Sequence, residues 1–244
     1  MTRVVRAELL KLRTTRTFWA IAGSILVLLL LTLVLTLALT DRFTEDEALS
    51  ALSTAGFAGL LTLVLGVVSS GGEYRHGTIA STLLVTPDRF RVVLGQVLAC
   101  TIFGFGIGLV AVALSMGIGL PWLELKDAPT PSGGELAELI AGNVLYAGLA
   151  GAFGVAMGAL LRNQVAGVVL VLVILFVIDP ALGALLADYE RYSLTGLGTA
   201  MSGGSADDIG ASDLLPVGLA ALLWSAYTAV LAGGAVLLTS RRDV

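Results

Sequence analysis

Residues 18–39 read FWAIAGSILVLLLLTLVLTLAL, twenty-two positions without one charged side chain. An α-helix advances about 1.5 Å per residue, so this run is long enough to cross a hydrocarbon layer about 30 Å thick. A cleaved secretory signal is the competing reading of an apolar run so near the start. A signal's apolar region spans only about 7–15 residues, and Ala38-Leu39-Thr40 is a poor cleavage site. A permanent first crossing is therefore expected.

Five more stretches reach spanning length: residues 54–70, 92–120, 136–160, 164–186 and 214–239. The third is long enough to require tilt or a kink, and the fifth meets Asp179-Pro180 before its end. The ten-residue alternating segments of a membrane β-barrel are missing from the sequence. The expected fold is an all-α integral membrane protein, one transmembrane domain of six helices.

Composition agrees with that reading. Of the 244 residues, 57% are hydrophobic and 13% charged, against about 25% charged in a soluble domain. Mean hydropathy is +0.95. A soluble enzyme, a nucleic-acid-binding domain and a disordered chain are all disfavoured. Cys100 is the sole cysteine, so neither an intrachain disulfide nor a Cys-rich metal site can form. His76 is the sole histidine, which leaves an intramembrane protease without the residues that a serine or metal mechanism needs. No catalytic residue and no metal site is expected. Twelve of the 14 basic residues are Arg, a bias we read as a GC-rich bacterial coding sequence.

Charge distribution sets the expected orientation. The N-terminus, the 71–91 loop, the 161–163 turn and the C-terminus carry 11 Lys/Arg, while the other three loops carry only Arg42, Lys126 and Arg191. The positive-inside rule puts the first set, with both termini, in the cytoplasm. Most of the acidic residues, including Glu45, Asp46, Glu47, Asp207 and Asp208, fall in the loops expected outside.

Two cytoplasmic pieces stand out. Residues 2–17, TRVVRAELLKLRTTRT, place Val5, Leu9 and Leu12 on one helical face, with Arg3, Arg6 and Arg13 beside it and Lys11 elsewhere around the helix. Such a helix is expected to lie along the inner membrane surface, its basic side chains near anionic lipid head groups; a plain basic flank is the simpler alternative. In the 71–91 loop, GGEYRHGTIASTLLVTPDRFR, Gly71-Gly72 is expected to break the helix leaving the membrane. A short helix from about 78 to 84 then presents Ile79, Leu83, Leu84 and Val85, and Pro87 limits it. An exposed apolar patch of this kind calls for a partner or for the membrane interface to cover it.

Glu73-x-x-x-Gly77-Thr78, then Leu83-Leu84, Thr86-Pro87, Arg89 and a Gly-x-x-Leu run at 95–98, resembles the loop between the second and third helices of ABC-2 type transporter permeases. The start, Glu8-Leu9-x-Lys11-Leu12-Arg13 before an aromatic first crossing, is similar to theirs as well, as is the layout of six crossings. Tyr74 and His76 stand where many members carry Glu or Arg. The resemblance implies a coupling element made of Glu73, Tyr74, Arg75, His76, Gly77, Thr78, Leu83, Leu84, Pro87 and Arg89 that docks on a separate ATPase subunit. It implies an interfacial connecting helix containing Arg6, Glu8, Leu9, Lys11, Leu12 and Arg13. It also implies two ATPases with two permeases, a homodimer of this chain being the simplest case, in a bacterial plasma membrane. The chain itself has no P-loop, since neither Lys11 nor Lys126 follows the required glycine; ATP and Mg would be bound by the partner, with no cofactor here. Membrane lipid is the other expected partner, and nucleic acid is not one.

The remaining motifs have structural readings beside functional ones. Gly104-Phe105-Gly106-Ile107-Gly108 lies in an apolar helix and lacks the spacing of a dinucleotide fingerprint. Ala147, Gly151, Gly154 and Gly158 are spaced for close helix packing, within the chain or in a dimer. Asp179 is the one ionisable residue well inside an expected crossing, which by default suggests function. It could instead lie near the outer interface, or satisfy a backbone group freed by Pro180. In the outer stretch 187–213, Tyr189, Tyr192, Leu194 and Leu197 are expected to form a short helix on the outer interface, with a mobile loop as the alternative. A proton-coupled carrier using Asp179 and a non-transporting accessory subunit share the same architecture.

Overall fold

The computed structural model describes residues 1–186 and 188–241, without the side chains of Leu83, Val85, Thr239, Ser240 and Arg241. Among the described residues the chain is helical throughout, with six helices long and apolar enough to cross a membrane. These mark a multi-pass membrane protein. In chain order the helices are α1 (Thr2–Thr14), α2 (Arg16–Leu39), α3 (Glu45–Leu52), α4 (Phe57–Arg75), α5 (Thr78–Val85), α6 (Arg89–Leu125), α7 (Gly133–Leu161), α8 (Gln164–Val173), α9 (Asp179–Gly183), α10 (Tyr189–Tyr192), α11 (Leu194–Ser202) and α12 (Val217–Arg241). The start of the outer loop at residue 187 and the C-terminal residues 242–244 lie outside the described set.

Several boundaries differ from expectation for identifiable reasons. The second crossing is preceded by α3 and a 3₁₀ turn at Ser53–Gly56. Helix α3 begins in a capping box, where Thr44 and Glu47 each satisfy the other's backbone N–H. The helix leaving the membrane does not break at Gly71-Gly72. It continues to Arg75, because Gly71 is used for close approach: a Cβ there would lie 2.7 Å from the Gln164 Cα. The break comes at Gly77, whose φ of +68° an L side chain resists. Helix α6 runs through Pro121 to Leu125, about 55 Å in all, so it must tilt or protrude. The last crossing starts at Val217 and not at 214, since Pro216 has no N–H and disfavours helix in the residue before it.

The fifth crossing is built of α8, a π-helical turn at Ile174–Ile178 and α9. Pro180 has no N–H to donate to the Phe176 carbonyl four residues earlier and crowds it. The ladder widens just upstream, and the Asp179 N–H donates to the Ile174 carbonyl five residues back.

Helix α7 is the hub. The carbonyls of α4 lie where side chains on its glycines would be: a Cβ at Gly154 would overlap the Leu63 carbonyl oxygen, and one at Gly158 would lie 2.8 Å from that of Val67. On another face Gly104 of α6 approaches the Ala147 carbonyl with the same intimacy, and a Cβ at Gly108 would lie 2.9 Å from that of Ala147. The middle glycine, Gly106, has open space around it. Both small-residue runs therefore serve packing within the chain. Neutral hydrogen bonds tie α4 to α7, α6 to α3 and α12 to α7: Thr62 Oγ1 donates to the Ala147 carbonyl at 2.9 Å, Ser115 Oγ to that of Leu52 at 2.8 Å, and Trp224 Nε1 to that of Leu149 at 3.1 Å.

Gly154→Ala should therefore destabilise the bundle by about 1–3 kcal/mol, lowering the thermal midpoint of the protein in detergent. Gly106→Ala, with no neighbour within 4 Å of the added Cβ, should hold or raise the midpoint; equal effects would show that α7 is not held by backbone approach.

Candidate functional site

The end of the bundle that carries most of the basic residues gathers the two motifs singled out in the sequence. The apolar face of helix α1 packs against the bundle. Val5, Leu9 and Leu12 pack with Phe18, Leu65, Ala99 and Cys100 of α2, α4 and α6, and a Cβ at Gly95 of α6 would come within 2.6 Å of Val4. The basic side chains Arg3, Arg6 and Arg13 stay exposed. Thr15 is extended, with ψ of 121°, and turns the chain from α1 into the first crossing.

Glu8 and Glu73 are both buried, at 5% exposure each, and Lys11 joins them. Its ammonium donates to Glu8 Oε1 at 2.9 Å and to Glu73 Oε1 in a short ion pair. Glu73 is the last buried side chain of α4 and α1 the first helix, so one lysine fastens the N-terminus to the exit of the second crossing. The remaining Glu73 oxygen, Oε2, is buried without a hydrogen-bond partner. Glu73 borders a cleft of about 490 Å³ that Lys11, Phe18, Ser69, Arg75, His76 and Gln164 help to line.

Burial pushes the Glu8 carboxyl above its ordinary 4.5, with the neighbouring Glu73 adding to the rise and Lys11 opposing it. Burial alone would lower Lys11, but its bond to Glu73, the Glu73 charge and then Glu8 outweigh that, and its pKa is raised. The pair is thus lopsided: the lysine gains from the site while Glu8 is held there against its preference for water.

Immediately after Glu73, α4 ends and α5 begins. The His76 N–H donates to the Gly72 carbonyl at 2.9 Å and Thr78 Oγ1 to that of Glu73 at 3.4 Å. Ile79 is buried and anchors α5, whereas Leu84 is 85% exposed; the side chains of Leu83 and Val85 are not described. Pro87 closes the turn. Asp88 then caps α6, accepting from the Arg91 N–H at 3.3 Å and pairing with its guanidinium at 3.0 Å. Tyr74 faces the Arg162 guanidinium at 5.9 Å, and Arg162 itself turns the chain between α7 and α8 with φ of 53°. Arg89 sits in the first turn of α6. The structure therefore brings Lys11, Leu12, Glu73, Arg75, His76 and Thr78 around one cleft, with Glu8 tied to it through Lys11 and Leu84 exposed outside it.

Asp179 lies at the other end and is 1% exposed. Its Oδ1 accepts from the Tyr189 hydroxyl at 2.9 Å; Oδ2 accepts from both the Thr195 N–H and Oγ1 at 2.9 Å. Thr195 is the second residue of α11, whose backbone N–H has no partner inside its own helix. Asp179 thus caps α11 from a neighbouring helix, while Ser193 Oγ caps it locally by accepting from the Gly196 N–H at 2.8 Å. Ser193 also splits the single outer helix expected from 189 to 197 into α10 and α11. Leu197 and Met201 are fully buried among Tyr146, Trp224 and other residues of the core, so α11 packs into the bundle. Burial and the bond to Asp179 push the Tyr189 hydroxyl up to about 12.

The sequence matches no protein-family model, and no curated protein is similar to it. The site therefore has to be argued from its geometry.

The pH dependence of α1 docking follows from the shift at Glu8. A carboxyl whose folded pKa is raised contributes most below the unfolded value and loses that contribution as pH climbs from 4.5 through the folded value. Glu8→Gln should thus hold or raise thermal stability at pH 7, with the gain over wild type vanishing below about pH 4.5. Glu73→Gln should instead free α1, seen as faster tryptic cleavage after Lys11 and Arg13. Equal behaviour of the two variants would exclude the lopsided bridge.

Proposed function

We propose that this chain is the membrane-spanning permease subunit of an ATP-driven transporter of the ABC-2 type. It would sit in a bacterial plasma membrane with its basic end in the cytoplasm. Two permeases, in the simplest case two copies of this chain, work with two separate ATPase subunits that bind ATP and Mg. The observation that carries this reading is the joint at the basic end. Helix α1 is fastened by Lys11 to the last turn of α4, and α4 leads within two residues into α5, which offers Leu84 to solvent. A subunit pressing on α5 would move α4 and α1 together, because both are tied at Glu73. The six crossings and the motifs from Glu73 to Arg89 support the same reading, and transport follows from two states whose contacts with the partner differ.

The weakly charged crossings favour an amphipathic or hydrophobic cargo such as a drug, peptide or lipid-like molecule, exported outward. A proton-coupled carrier gains little from Asp179, whose oxygens are already engaged by Tyr189 and Thr195. A carrier that works alone has no partner to receive at the exposed end of α5; an accessory subunit would bind a partner there without substrate flux.

Purification of the tagged chain from native membranes in mild detergent should bring down a stoichiometric ATPase whose activity the permease stimulates. Leu84→Asp should abolish the association. Gly77→Ala, which costs about 1 kcal/mol at a left-handed position with no neighbour within 4 Å to clash, should keep the protein folded and lower the stimulation. Repeated recovery of the chain with no ATPase would overturn the proposal.

A further inference from the structure

At the acidic end, a groove of about 410 Å³ runs between the start of α4 on one side and the π turn and α11 on the other. Its apolar wall is Phe57, Leu60, Leu175 and Phe176; its polar wall is a series of hydroxyls. Five of the eight lining hydroxyls have their hydrogens committed; Thr36, Ser50 and Tyr146 complete the set. Ser53 Oγ donates to the Ser50 carbonyl at 2.7 Å and Thr54 Oγ1 to that of Ala51 at 2.9 Å. Thr199 Oγ1 donates to the Thr195 carbonyl at 2.9 Å, Ser202 Oγ to that of Thr199 at 3.2 Å, and Thr195 Oγ1 to Asp179. A hydroxyl has one donor and two acceptor sites, so these five present oxygen lone pairs to the groove.

Two further features have the same sign. Asp208 adds an exposed carboxylate at the rim, and none of the described residues lining the groove is Lys, Arg or His. Asn143, 1% exposed, stands behind Gly56 and Ser202. Its Nδ2 donates to the carbonyls of Leu139 and Ser202 at 2.9 Å, which fixes the amide's orientation. Its Oδ1 is left buried and unpartnered, 3.6 Å from where a Cβ on Gly56 would be. The groove therefore offers acceptors, negative charge and an apolar wall together.

We propose that this groove binds the primary or secondary ammonium group of an amphipathic molecule, with the N–H donors on the Ser/Thr oxygens and Asp208 and the apolar chain along Phe57, Leu60 and Phe176. An ammonium supplies two or three donors and no acceptor, which is the complement of the wall. A carboxylate or phosphate would find donors only at Thr36, Ser50 and Tyr146 and would face the lone pairs of the other five hydroxyls and the Asp208 charge. A free amphiphilic amine and the ethanolamine headgroup of a membrane lipid share this chemistry. The inference deepens the permease reading by naming a cargo class, and rests on that reading only for what happens after binding.

The test is equilibrium binding of radiolabelled dodecylamine to the full-length protein in phosphatidylcholine nanodiscs, measured as the excess over empty discs. Saturable binding is expected. Dodecyltrimethylammonium, without N–H donors, should compete about tenfold more weakly, and dodecanoate not at all. Thr199→Val should weaken dodecylamine binding about fivefold and Asp208→Asn about threefold, the latter erased at high salt. Size-exclusion profiles identical to wild type would show that both variants are folded. Competition by phosphatidylethanolamine built into the discs would identify a lipid headgroup as the occupant; lack of it would identify a free amine, and either result keeps the proposal. Equal competition by dodecanoate, or unchanged binding in both variants, would overturn it. No ATPase takes part in the measurement. Binding without a co-purifying ATPase would thus sink the pump reading alone, and an ATPase partner without binding would sink this inference alone.

Discussion

Backbone approach along α7 is the constraint on which the rest of the bundle depends. Lipid tails are as apolar as leucine, so helices in a membrane gain little from hiding apolar side chains against one another. They gain from dispersion contacts at short range and from neutral hydrogen bonds, and both need the backbones to come close. Gly154 and Gly158 let α4 in on one side, and Ala147 receives Gly104 of α6 on another. Once those helices are close, Thr62 can reach the Ala147 carbonyl and Ser70 Oγ can meet Gln96 at 3.3 Å. The positions of α4 and α6 in turn decide where Glu73 emerges and where α1 finds its seat.

The crossings were legible because length and apolarity identify them directly, and the small-residue stripes because their spacing has few other uses. What escaped the sequence reading depended on partners distant along the chain. Glu8 looked like one polar residue in a basic helix; its burial is decided by Lys11 reaching Glu73, 62 residues away. Gly71-Gly72 carries the composition of a helix stop, yet the crossing with Gln164 consumes Gly71 as a packing surface. Some signals were present but not weighed. Thr44-x-x-Glu47 is a capping box that announces α3, and Pro87-Asp88 announces the start of α6. The seating of α11 had no local signal, because its N-terminal cap comes from Asp179 on another helix.

The two ends of the bundle handle polarity by different means. At the basic end full charges are used, but each lies beyond the apolar crossings and at least one partner keeps contact with water; the Lys11 side chain is 43% exposed. A bridge of that kind is adjustable on the lysine side, where the ammonium keeps contact with water while the two carboxylates stay buried. It suits a joint between helices that must shift together. At the acidic end the buried polar contacts between helices are made by hydroxyls, amides and carbonyls, with Asp179 the deepest carboxylate, and the ion pair there, Arg191 with Asp213 at 3.3 Å, lies at the periphery. Neutral bonds of this type are short in reach and demand fixed geometry.

Asp179 shows why an ionisable residue in a crossing need not act on cargo. Pro180 removes one backbone donor and forces the π turn, which shifts the register of every residue that follows it. That shift turns the Asp179 side chain toward α11, where Thr195 has an N–H with no helical partner. The residue beside the proline thus supplies a cap that the start of α11 requires. The cost of burying the carboxyl is offset by three donors at 2.9 Å, the condition under which buried polar groups are tolerated. The consequence reaches the groove, since Thr195 spends its hydroxyl hydrogen on Asp179 and turns only lone pairs outward. The carboxylate therefore influences what the groove can bind without lining it, acting through the donor it consumes.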